Sequence, residues 1–131
     1  MKKPKQIASP KVVSVEKRIN NVVFGFSQLK NISFVDANND SLFFIEYLQR
    51  LSKLSSLVWE DLYTSSRHSF GTETMDVASL NITARTLVPS SMSKLLVLRA
   101  TGSNHVFLGY REGNVFQVLF IEYKFGDIYK H

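Results

Sequence analysis

Arg99, His105, Arg111, Tyr129 and His131 all fall in the last third of the chain, and together they hold the groups that phosphate-ester chemistry uses. A guanidinium grips phosphate through paired N–H donors, an imidazole exchanges a proton near neutrality, and a phenol stacks on a base or positions a nucleotide. Period-two alternation puts His105, Phe107, Gly109 and Arg111 on one strand face and Val106, Leu108 and Tyr110 on the other, so the first face is polar at both ends. Arg99 closes the apolar run before it, and Asp127, Tyr129 and His131 share a face of the terminal segment. Each residue also has a plainer reading: a strand-end arginine in the solvated rim, a packing tyrosine, a frayed terminal histidine. A second group, Arg67-His68 beside Phe70, either faces RNA, binding phosphate and stacking on a base, or folds over the core with Phe70 as its anchor. His68, Glu73 and Asp76, with His105 or His131, are metal-ligating types, yet no HxH, HExxH or carboxylate-rich spacing joins them, so no metal is expected. The chain also lacks a GxSxG elbow and a glycine-rich phosphate loop, which leaves NTP-dependent chemistry without support and predicts no cofactor.

The elements that would position these side chains divide into two regimes. Val22, Val23, Phe24, Phe26 and Leu29 form a β-branched and aromatic stretch that suits a first strand within 20–30. The polar run 36–41 ends in a helix N-cap at Asp40 or Ser41, and Phe44, Tyr47, Leu48, Leu51 and Leu54 recur at helical spacing through 41–54. Ser55-Ser56 ends that helix and caps a short second one over 57–63, with Trp59 and Leu62 inward. Residues 64–76 read as a loop, and 76–88 as either a weak strand or an irregular segment. Three strands then follow, 94–99, 105–111 and 115–123, separated by Gly/Asn turns that suit positive φ. The last is apolar on nearly both faces, as a strand covered on both sides would be, and Trp59, Leu48 and Phe120 are expected to share one core. The whole is an α+β domain: an N-terminal strand, two helices, then an antiparallel sheet meander.

Length and composition bound the rest. At 131 residues and 44% hydrophobic, the chain has the profile of one domain, and with no cysteine it excludes thiolate nucleophiles, Cys-ligated metals and disulfides. No apolar run reaches membrane-helix length and no signal-peptide core is present, so no membrane contact and a cytoplasmic location are expected. The formal net charge of +5 lies wholly in residues 1–18, through Lys2, Lys3, Lys5, Lys11, Lys17 and Arg18 against Glu16. That segment reads as a flexible basic arm, either a solubilising leader or a phosphate-contacting tail, ahead of a single domain over 19–131. The domain itself is neutral, acidic over 19–84 and basic over 85–131.

In the C-terminal third the order Leu98-Arg99, glycine turn, His105-Val106-Phe107-Leu108-Gly109-Tyr110, Glu112-Gly113-Asn114, long apolar strand and Asp127-Ile128-Tyr129-Lys130 resembles the end of RelE-type bacterial toxins, the superfamily that includes the YoeB, HigB and ParE groups. The resemblance spans roughly residues 20–131, and the predicted element order agrees with it. It implies a toxin of a toxin–antitoxin pair, a metal-independent endoribonuclease that cuts mRNA on the ribosome and is held by a protein antitoxin. By the same resemblance Arg99 matches the strand-end arginine, Tyr129 the terminal tyrosine and His131 a C-terminal histidine; the residue types themselves add His105 and Arg111 as further candidate catalytic groups and Arg67, His68 and Lys130 as candidate RNA contacts. Where the family carries an arginine in the second meander strand, this chain has Val106 with His105 beside it. Either His105 and Arg111 take over that charge or the scaffold binds without cutting, as a module for a protein or nucleic-acid partner.

Overall fold

The structure is a computed structural model and describes residues 20–64 and 72–131. Helix α1 (Ser41–Leu54) begins at Asp40, whose Oδ1 accepts the Phe43 amide at 3.1 Å, so Asp40 rather than Ser41 is the N-cap. Ser55 and Ser56 close the helix, their hydroxyls turned back onto the carbonyls of Ser52 and Lys53, and α2 (Trp59–Thr64) follows with Trp59 and Leu62 buried. The strands are β1 (Val23–Gly25), β2 (Glu73–Asp76), β3 (Lys94–Arg99), β4 (Val106–Glu112) and β5 (Val115–Ile121). They form one sheet in the order β1-β5-β4-β3-β2. The fold is α+β, and the meander of β3, β4 and β5 is antiparallel, with β2 extending it in the same sense. The N-terminal strand departs from that pattern: it is only three residues long and joins β5 in parallel, so the sheet is mixed. The undecided stretch before β3 resolves into a 3-10 turn over Val77–Ser79 and a one-turn helix α3 (Ile82–Arg85).

Two apolar clusters lie on opposite faces of the sheet. On one, Phe43, Tyr47, Leu51 and Leu54 of α1 and Trp59 and Leu62 of α2 pack on Leu98, Phe107, Phe116, Val118 and Ile121. On the other, Leu80, Ala84, Val88 and Ile128 cover Leu95, Val97, Val106, Leu108, Leu119 and Phe120. Covering both faces is what made β5 read as apolar throughout.

Three placements differ from expectation. Residues 73–76, read as the end of a loop, form β2 and add a strand to the sheet by pairing with β3. The buried stripe of α1 runs through Phe43, not Leu48, which is 64% exposed. Phe43 sets the phase because its ring packs edge-on against Tyr123 at 4.9 Å and His105 at 5.3 Å. Phe120, expected beside Trp59 and Leu48, lies in the other cluster. A β-bulge is the reason: Leu108 pairs with Phe120 and Gly109 with Val118, so Leu119 is an extra residue and reverses the alternation beyond it. Gly109 permits the close approach, since a Cβ there would collide with the Gln117 backbone oxygen.

Candidate active site

Val106 organises one end of the sheet. Arg99 lies opposite it on β3, His105 immediately precedes it, and its carbonyl accepts the Glu122 amide at 2.9 Å. The β3–β4 turn, with Asn104 at φ 71°, is closed by the Ala100 amide donating to the His105 carbonyl at 2.8 Å. Thr101 Oγ1 accepts the Ser103 amide and lies 3.1 Å from His105 Nδ1. The other edge of the imidazole, Nε2, has no hydrogen-bond partner among the described residues.

Beyond β5 the chain turns over Ser33, whose hydroxyl accepts the amides of Tyr123 and Lys124 at 2.8 and 3.1 Å. Gly126, at φ 92°, bends it again. The Asn81 amide then donates to the Ile128 carbonyl, and Ile128 is fully buried. This strap brings His131 back to β5, where its Nε2 lies 2.7 Å from Glu122 Oε2. Glu122 is completely buried, and its Oε1 has no hydrogen-bond partner among the described residues. Burial holds its carboxyl above the usual carboxylate range, against the opposing influence of His131, the Gly126 amide and His105.

Rings join the two imidazoles. Tyr129 stacks on His131 at 4.4 Å, His131 meets Phe125 edge-on at 5.1 Å, and Phe125 stacks on His105 at 4.6 Å. Tyr123 continues the row, and its hydroxyl donates to Asp40 Oδ2 at 2.7 Å. That hydrogen bond lowers the Asp40 pKa and raises that of Tyr123, so the pair is a carboxylate and a neutral phenol at working pH. Burial, then Glu122 and Glu73, raise the Tyr129 pKa, while Arg99 opposes them, and the phenol remains a proton donor.

Four of the five sequence-predicted catalytic residues, Arg99, His105, Tyr129 and His131, lie at one end of the sheet, with Arg99 beside Val106 on the face of the second cluster and His105 on the face covered by α1. Arg111 does not. It lies five residues along β4 from Val106, about 16 Å at the rise of a strand, with its guanidinium 4.3 Å over the Trp59 ring and its Nε donating to the Gly113 carbonyl. Arg99 is held by Asn104 Oδ1 at 2.6 Å. Lys130 is exposed between Tyr129 and His131, whereas Arg67 and His68 lie outside the described residues. Glu122 and Tyr123 escaped the sequence reading, which singled out Asp40 only as a helix cap. For Glu122 a signal existed, as the one carboxylate at the end of an apolar run. No protein-family model, curated protein or solved structure matches the chain.

Proposed function

We propose that the chain is a metal-independent endoribonuclease acting on single-stranded RNA, in the manner of a toxin that cuts mRNA and is held by a protein antitoxin. The observation that carries this reading is the His131–Glu122 pair, 2.7 Å apart, at the end of a row of rings that also contains His105. Donation from His131 Nε2 to an ionised Glu122 leaves Nδ1 as a base for the proton of a ribose 2′-hydroxyl. The 2′-oxygen attacks the adjacent phosphorus, the bond to the 5′-oxygen breaks, and protonated His105 gives its Nε2 proton to that leaving oxygen. The products are a 2′,3′-cyclic phosphate and a 5′-hydroxyl. Arg99 supplies charge to the phosphorane, and the exposed Phe125 ring and the half-buried Tyr129 ring offer faces on which bases stack.

The test is cleavage of mRNA in a reconstituted translation reaction and of free single-stranded RNA, with wild type beside His131→Ala and His105→Ala. Wild type is expected to leave cyclic phosphate ends, each variant to lose roughly 10²-fold or more in rate, and treatment of the protein with EDTA before the assay to change nothing. An inert wild type on both substrates overturns the reading. A non-enzymatic protein-binding module then takes its place, favoured by Leu42, Ile45 and Leu48, a three-residue apolar ridge exposed on α1.

A further inference from the structure

A cleft of about 230 Å³ opens between the start of α1 and the β3–β4 turn, lined by Asp40, Phe43, Glu46, Thr101, Ser103 and His105 among others. Its size suits one heterocycle rather than a drug-sized ligand. Leu42 and Glu46 stand one turn apart on α1, and Glu46 reaches across toward the turn: a Cβ on Gly102 would lie 4.0 Å from Glu46 Oε2. No described residue forms a hydrogen bond to the Glu46 carboxylate. The lining contains two carboxylates and two aliphatic hydroxyls, with no lysine or arginine. Phosphate is thus disfavoured there, and a group rich in N–H donors is favoured. The flat apolar surfaces of Phe43 and Tyr123 select against a strongly hydrated point charge in the same space.

We infer that this cleft is a nucleobase subsite selective for guanine. Guanine is the base whose Watson–Crick edge presents a ring N–H beside an exocyclic amine, two adjacent donors that match the two oxygens of one carboxylate. Glu46 is the specificity residue, Ser103 and Thr101 line the opposite wall, and His105 stands at the boundary with the cleavage site. The inference rests on the RNA reading and adds which base is read beside the scissile bond.

Nucleoside binding tests it without any need for cleavage. The full chain is titrated with guanosine, inosine and adenosine by calorimetry, and the site is located by amide shifts in NMR spectra. Guanosine is expected to bind about tenfold or more tightly than inosine, which lacks the exocyclic amine, and than adenosine, whose ring nitrogen accepts. Shifts should map to the start of α1 and to Thr101–His105, and Glu46→Gln should abolish the preference while its spectrum outside the cleft is unchanged. Equal binding of all three nucleosides, no binding, shifts confined elsewhere, a preference that survives in Glu46→Gln, or displacement of guanosine by ethylammonium would each overturn the inference. Those outcomes leave the cleavage reading standing or falling on its own assay, because wild-type RNA cleavage is measured separately.

Discussion

At the scale of the residue, Glu122 works against the fold in order to hold His131. A fully buried carboxyl whose pKa is raised by burial binds its proton more tightly in the folded chain than in the unfolded one. Its contribution to stability is therefore complete below the ordinary value near 4.5 and is lost as pH rises through the folded value, above which a charged group stands without water. Glu122→Gln keeps an acceptor for His131 and removes that charge. The variant should melt at a higher temperature than wild type near neutral pH, the advantage should shrink toward pH 4, and RNA cleavage should fall. Thermal melts across pH check the sign, and a variant less stable than wild type near neutral pH, with the deficit shrinking toward pH 4, would mean that the ion pair outweighs desolvation. Tyr47 is a simpler case: its buried hydroxyl has no hydrogen-bond partner among the described residues, and burial raises its pKa. Tyr47→Phe should stabilise by about 1 kcal/mol in denaturant unfolding, because the unfolded hydroxyl is hydrated and the folded one is not.

At the scale of the element, the phase of α1 decides which leucines matter. Leu54 is buried in the cluster beneath the helices, whereas Leu48 faces outward. Leu54→Ala should cost about 2–5 kcal/mol through lost burial and the cavity left behind. Leu48→Ala should stay within about 0.5 kcal/mol, and equal costs would mean that the helix is rotated from this placement. The extent of α1 was legible in sequence because Asp40 and the paired serines mark its two ends chemically. Its phase was not, since Phe43 and Phe44 are adjacent and equally apolar, and the choice between them is made by Tyr123 and His105, some sixty to eighty residues away. The bulge in β5 was hidden for a related reason. Val118-Leu119-Phe120-Ile121 is apolar without a break, so an inserted residue leaves no trace in the period. Glu122 stood out only as a lone charge, and its partner came into reach through the strap from Lys124 to His131, which local pattern does not specify.

At the scale of the whole molecule, the sheet keeps two arginines of similar sequence character apart. Both end a strand-like run, and sequence alone assigns them the same role. Register separates them: Arg99 pairs with Val106 at the end where both imidazoles lie, and Arg111 pairs with Phe116 near the far turn. There Arg111 stacks on Trp59, whose indole N–H donates to the Asn114 carbonyl, so its surroundings are those of a packing residue. Arg111→Ala should lower stability by about 0.5–1 kcal/mol and leave cleavage per folded molecule unchanged. Arg99→Ala should do the reverse, reducing cleavage by roughly 10²-fold with little change in the melting temperature, because in the proposed reaction its charge meets the phosphorane while its described side-chain hydrogen bond, to Asn104, is at an exposed turn. Denaturant unfolding and RNA cleavage measured on the same preparations separate the two effects. If both variants lose cleavage equally while folded, the substrate spans the whole sheet face. If neither does, the phosphorane charge is met elsewhere, and Lys130, exposed beside Tyr129 and His131, is the residue to replace next.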